Sequence, residues 1–123
     1  MIWHMIGSLL MATLAVLHSY IGETRLLQKL LAKPDLPLLQ GSIHYTRTVL
    51  RWAWHLTSIA WLGFAAIFFA LIQVPSVARQ SIGVILTATL GLSAFIAFAA
   101  SRGRHLAWVF FLAASICMWS GIK

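Results

Sequence analysis

The sequence predicts an all-α integral membrane protein, a bundle of four transmembrane helices. Of its 123 residues, 61% are hydrophobic and only 9% are charged, and the mean hydropathy is +0.90. A soluble domain carries about 25% charged residues, so this chain has too few polar side chains to cover a water-facing surface. Four apolar segments also qualify as transmembrane helices, which need about 20 mostly apolar residues to cross a bilayer.

The four predicted spans cover approximately residues 2–21, 49–72, 82–100 and 106–122, and all lie within one domain of residues 1–123. The first span has neither a basic leading segment nor a small-residue cleavage site, so we interpret it as a retained helix rather than a signal peptide. Short links join the later spans, which predicts that sequential helices are antiparallel neighbours.

Small residues recur at spacings of three and four along one face of the third span. Such a face lets a neighbouring helix approach closely, so we expect a structural role for this span. Trp61 lies well inside the second span and is expected to pack against another helix. Cys117 is the only cysteine, so no intrachain disulfide can form. The small-residue face consists of Gly83, Thr87, Gly91, Ala94 and Ala97.

The connection of residues 23–48 begins with an amphipathic segment that has leucines on one face and cationic side chains elsewhere. The pattern is typical of a helix that either lies in the membrane interface or extends the first span. Pro34 and Pro37 end this segment.

The cationic residues are distributed unequally between the two ends of the predicted bundle. Seven accompany the connection of residues 23–48 and the turn of residues 101–104, whereas Arg79 and Lys123 lie at the opposite end. The positive-inside rule then places both termini on the non-cytoplasmic side. We interpret the net charge of +7 as a topology signal and expect no nucleic-acid partner. The expected location is a bacterial inner membrane, and the expected partners are the lipid bilayer and either further copies of the chain or other membrane subunits. The seven are Arg25, Lys29, Lys33, Arg47, Arg51, Arg102 and Arg104.

Two helix faces combine polar and small residues. At 100° per residue, a polar stripe of the second span falls within an arc of roughly 100°. Charges facing lipid are costly, so we expect this stripe to face the bundle interior, open to water at its loop end. The stripe comprises His44, Arg47, Thr48, Arg51, His55 and Ser58, and the matching face of the first span comprises His4, Gly7, Ser8, Met11, Ala15, His18 and Gly22.

Three histidines from three spans are predicted to meet at the cytoplasmic end of the bundle: His18, His55 and His105. Because an unpaired charge near hydrocarbon is costly, Glu23 is expected to pair with Arg51 or Arg47. His4 and His44 are expected to be ordinary, one at the outer interface and one in a loop. The residues expected around the three histidines are Glu23, Arg47, Arg51, Arg104 and Trp54.

Several chemistries fit this histidine cluster. Two facing histidines could ligate a b-type haem whose propionates the arginines would hold. Alternatively, the three histidines and Glu23 could bind a divalent metal such as zinc, copper or iron. The arginines and tryptophans could instead hold an anionic lipid headgroup, a quinone head or a small anion.

Two further alternatives need no cofactor. The protein could be a structural or accessory subunit of a larger membrane complex that makes only lipid contacts. It could also be a small transporter, since histidine titrates near neutral pH. The sequence contains no HExxH, CxxC or glycine-rich phosphate motif, so whether it is an enzyme stays open.

Overall fold

The structure, a computed structural model, describes residues 1–104 and 106–123 without the side chains of residues 100 and 101. Within that part of the chain the architecture is all-helical, and three helical segments are long and apolar enough to cross a membrane. The fourth apolar helix has 16 residues, or about 24 Å at 1.5 Å per residue, against roughly 30 Å for the hydrocarbon core of a bilayer. The helices are α1 (Ile2–Ile21), a π-helical segment (Gly22–Leu27), α2 (Gln28–Leu31), α3 (Ile43–Ala70), α4 (Ser76–Ser101) and α5 (Ala107–Ile122).

Two helices begin about six residues before the apolar segments that predicted them. For α3 the reason is Ser42, whose side chain accepts a hydrogen bond from the backbone N–H of Tyr45 and so caps the helix. For α4 the reason is Pro75, which precedes the first turn with a φ of −53°. Hydropathy locates the apolar part of a helix, whereas caps locate its first residue.

The amphipathic segment extends the first span, which was one of its two predicted arrangements. The helical run continues from Ile2 to Leu31 through the π-helical segment. Leu27 and Leu31 are buried, whereas Leu26 is 43% exposed, so only part of the leucine face packs inward. The chain then returns to α3 through a loop that Thr46 holds, since its hydroxyl donates to Pro37 O and accepts from the backbone N–H of Leu39.

The helices are arranged in the order α3, α1, α5, α4, because α1 packs against both α3 and α5, and α5 packs against α4. The expectation that all sequential helices are neighbours is therefore wrong for α3 and α4, which have few close backbone approaches in the described chain. Small residues explain which pairs form. Gly7 of α1 lies against the ring of Phe68, and Gly83 of α4 lies against Ile122.

The small-residue faces of the first and third spans are confirmed as packing surfaces. On α1, His4, Gly7, Met11 and Ala15 are buried. On α4, the carbonyl of Thr87 accepts a hydrogen bond of 2.9 Å from the Ser115 hydroxyl of α5. Helix α5 supplies several core residues, while many large apolar side chains elsewhere are exposed, as expected of a surface that faces lipid. The core includes Met11, Phe68, Leu71, Leu90, Phe111 and Met118.

Candidate functional site

Two reciprocal histidine–serine pairs join α1 to α3. His18 Nδ1 of α1 is 2.9 Å from Ser58 Oγ of α3, and His55 Nδ1 of α3 is 2.9 Å from Ser19 Oγ of α1. Adjacent residues on α1 thus meet residues one helical turn apart on α3. We call His18, Ser19, His55 and Ser58 the histidine–serine seam.

An acidic and a basic residue extend the seam on the His55 side. His55 Nε2 lies 3.2 Å from Glu23 Oε2, and Arg51 Nη2 lies 3.2 Å from Glu23 Oε1. The predicted pairing of Glu23 is therefore confirmed for Arg51, whereas Arg47 donates to the Lys33 carbonyl at 3.3 Å. Because Ser19 and Glu23 contact its two ring nitrogens, His55 would have to give up a contact before it could bind a metal.

Tryptophans enclose His18. The Trp54 indole stacks on the imidazole with ring centroids 4.3 Å apart and planes 3° apart, and its Nε1 donates to His18 O at 3.0 Å. Gly22 makes this position possible, because a Cβ at Gly22 would collide with the indole. Trp61 contacts His18 from another side and Phe111 of α5 edge-on, which confirms that Trp61 packs against another helix. Trp54 thus touches His18 directly.

A cavity of about 420 Å³ opens beside His18, between the first helical run and the start of α5. Its walls are mostly apolar, and its polar groups are His18, Arg25 and Arg104. We call it the arginine-rimmed cavity. Arg25 was not among the predicted site residues, although its spacing of seven from His18 puts both on one helix face. The lining residues are Leu14, Leu17, His18, Ile21, Gly22, Arg25, Leu26, Trp54, Arg104, Leu106, Ala107 and Phe110.

The other predicted site residues line different cavities. His55, Ser19 and Ser58 line a second cavity of about 420 Å³, which His18 does not line. Arg47 and Arg51 line a smaller cavity at the start of α3. The predicted cluster is therefore divided among three cavities around α1 and α3, with Glu23 connecting His55 to Arg51.

The metal and haem interpretations depend on a residue outside this description. His105 lies outside the described residues, and among those described no three His, Cys, Asp or Glu side chains could share a metal ion. Hydrogen bonds cross the seam directly, so a haem between His18 and His55 would require α1 and α3 to separate. The cofactor assignments of the three histidines stay predictions.

His4, which was expected to be an ordinary residue, is buried inside the bundle. Only 1% of the residue is exposed, and neither ring nitrogen has a hydrogen-bond partner in the described chain. The imidazole lies against Gly121 of α5, where a Cβ would be 2.7 Å from Nδ1. The place of His4 on the small-residue face of α1 was the available sequence signal for its burial.

No known family model, curated protein or solved structure matches this chain. The function is therefore argued from the cavities and the side chains that line them.

Proposed function

We propose that the protein is an integral membrane protein whose arginine-rimmed cavity binds an amphiphile with an anionic head and a hydrocarbon tail. The observation that carries the proposal is the combination of two guanidinium groups with apolar walls in one cavity of about 420 Å³. Ligand pockets commonly have volumes of about 300–1,000 Å³ and a few polar groups among apolar ones.

In this proposal, Arg25 and Arg104 bind the anionic head of the ligand. Neither forms an ion pair with a carboxylate in the described part of the chain, where Glu23 is the only acidic partner and binds Arg51 and His55. Guanidinium groups form short, charge-assisted hydrogen bonds with carboxylates and phosphates. An anionic head would thus supply acceptors that the protein does not.

The hydrocarbon tail of the ligand packs against the apolar side chains that line the cavity. Leu14, Leu17 and Ile21 of α1 and Phe110 of α5 line the cavity, as do the stacked rings of His18 and Trp54. Burial of hydrocarbon contributes about 0.8 kcal/mol per CH₂ group. The tail therefore supplies affinity, while the arginines select the charge of the head.

The proposed membrane arrangement puts the arginine-rimmed cavity at the cytoplasmic side of a bacterial inner membrane, with both termini on the opposite side. The distribution of cationic residues supports it. In intact cells, a membrane-impermeant maleimide should label Gln73→Cys, whereas Asp35→Cys should react only after the membrane is permeabilised. The opposite pattern would reverse the orientation. Cys117 is buried and should give little background.

Assembly with further copies or with other membrane subunits is a separate part of the proposal. The exposed apolar surface, which includes Phe69, Phe95 and Leu92, could contact either lipid or a neighbouring subunit. Crosslinking in native membranes before extraction should give discrete products. A single monomeric species there and in nanodiscs would refute assembly.

Ligand binding is tested with a dibrominated long-chain fatty acid, whose bromine atoms quench nearby tryptophans. Titration into the purified protein should quench Trp54, so Trp54→Phe should lose the largest part of the quenching. Trp52→Phe is the matched control, because Trp52 lies outside the arginine-rimmed cavity.

Charge selectivity completes the test. Arg25→Gln and Arg104→Gln should each weaken binding about tenfold, since a hydrogen bond to a charged group contributes about 1.5–3 kcal/mol. Arg102→Gln, in the same turn as Arg104 but outside the cavity lining, should bind as the unmodified protein does. Equal affinity for an alkyl ammonium of the same chain length would refute an anion-selective site.

A further inference from the structure

We propose that a second site, at the start of α3, binds a phosphate-type anion, either the headgroup phosphate of a phospholipid or a free phosphate. The site is a cleft of about 220 Å³ lined by His44, Arg47, Thr48, Arg51 and Trp52. We call it the α3 cleft. None of its described lining residues lines the arginine-rimmed cavity, so the two proposals are independent.

Helical periodicity concentrates positive charge in the α3 cleft. His44, Arg47 and Arg51 lie at spacings of three and four, which put them on one face along successive turns. Like charges at a spacing of four destabilise a helix. An anion held between Arg47 and Arg51 would convert this repulsion into two attractions.

Arg47 has donor groups that the protein does not satisfy. Its Nη2 donates to the Lys33 carbonyl at 3.3 Å, while its Nε is buried without a hydrogen-bond partner in the described chain. A buried donor without an acceptor is costly, and native proteins rarely leave one unpaired. Because Nε is shielded from solvent, a phosphate in the cleft would meet the outer nitrogens of the guanidinium group, and its charge would offset the cost of the buried donor.

The local charge balance also favours an anion. Among the described residues, Glu23 is the only carboxylate that pairs with a cation of the cleft, through Arg51 Nη2 at 3.2 Å, and 48% of the Arg51 side chain is exposed. The first turn of α3 contains no acidic residue, so the positive end of the helix dipole adds to the potential. Two guanidinium groups against one carboxylate leave a net positive charge in the cleft.

Phosphate suits this site better than a singly charged anion does. Its several oxygens can accept from both Arg47 and Arg51, and guanidinium groups bind phosphate through paired hydrogen bonds. The Trp52 indole beside the cleft is 61% exposed, a position typical of a residue at the membrane interface. The cleft could therefore receive a phosphate from lipid or from solution.

Two probes distinguish these sources. Inorganic phosphate is titrated into the protein in a neutral detergent and compared with chloride at equal ionic strength. In parallel, an Arg25→Gln/Arg104→Gln double variant, in which the arginine-rimmed cavity no longer selects an anionic head, is incubated with phosphatidylcholine vesicles that do or do not contain phosphatidic acid. Binding of inorganic phosphate identifies a site open to solution, and preference for phosphatidic acid alone identifies a lipid headgroup.

Two substitutions are expected to change the affinity for phosphate or phosphatidic acid in opposite directions. Arg47→Gln should weaken phosphate or phosphatidic acid binding about tenfold, while Arg102→Gln should leave it unchanged. Glu23→Gln should strengthen binding, because it removes the carboxylate that competes for Arg51. An unfolded variant would lose affinity, so a gain in affinity cannot result from misfolding.

Two results would overturn the proposal. One is that neither probe is preferred over its control. The other is that Arg47→Gln retains full affinity while Glu23→Gln gives no gain. Loss of brominated fatty acid binding in Arg25→Gln and Arg104→Gln would not affect either result, so failure at one site can be told from failure at the other.

Discussion

Replacement of Gly22 by alanine tests whether the Trp54–His18 stack depends on a missing side chain. A Cβ at this position would be 2.7 Å from Trp54 Cζ2 and closer still to the indole Nε1 and Cε2. The indole is rigid, and its Nε1 donates to His18 O at 3.0 Å. It therefore cannot yield to the new methyl group without losing this hydrogen bond or the stacking.

The expected destabilisation combines the cost of overpacking with the loss of two contacts that the methyl group disturbs. Overpacking costs about 1–3 kcal/mol, the indole hydrogen bond contributes about 0.5–1.5 kcal/mol, and the ring stack contributes about 0.5–1.5 kcal/mol. Alanine in place of glycine returns about 1 kcal/mol of helix propensity. The net loss in the free energy of unfolding should be about 3 kcal/mol.

The assay is reversible unfolding in mixed micelles, followed by circular dichroism. Gly63→Ala is the matched control, because nothing lies within 4 Å of the position of its Cβ, and it should be neutral or stabilising by up to about 1 kcal/mol. In a Trp54→Ala background, Gly22→Ala should behave like Gly63→Ala. If Gly22→Ala and Gly63→Ala are equally stable in the unmodified background, the close packing of Trp54 on α1 is wrong.

Three other substitutions test separate contacts. Ser58→Ala removes the hydroxyl beside His18 Nδ1 and should lower the free energy of unfolding by about 1–3 kcal/mol; Ser58→Thr should lose less, and equal losses would argue against the hydrogen bond. Gly121→Ala would place a methyl group against the His4 ring and should cost about 1–3 kcal/mol, so a neutral result would contradict the burial of His4. Thr46→Val removes the hydroxyl that holds Pro37 and Leu39 and should speed proteolysis of the connection between α2 and α3. Thr57→Val is its control, because in the described chain the Thr57 hydroxyl bonds only to Ala53 O of its own helix; equal cleavage rates would refute this role of Thr46.

Helix periodicity and the rarity of charge predicted part of the candidate site. The pairing of Glu23 with Arg51 followed from the cost of an isolated charge near hydrocarbon, and the interior face of α1 followed from its spacing of small residues. The extension of α1 to Leu31 was one of two expected arrangements. Each of these inferences required only residues that share a face or a helix end.

The distribution of the site among three cavities could not be predicted in this way. Periodicity shows that His18 and Arg25 share a face of one helix, but it does not give the rotation or axial offset of that helix relative to α3 and α5. Those offsets place His18 against Ser58 and Trp54, direct Arg47 and Arg51 into another cleft, and bury His4 beneath Gly121.

The sequence by itself determined the all-helical class, the apolar helices and the concentration of cations at one end, because composition and periodicity act within single segments. Only the tertiary structure decided the helix order α3, α1, α5, α4 and the division of the cationic cluster. The physical reason is that helices pack through complementary small and large side chains, such as Gly22 with Trp54 and Gly7 with Phe68. That complementarity exists only between segments distant in the chain.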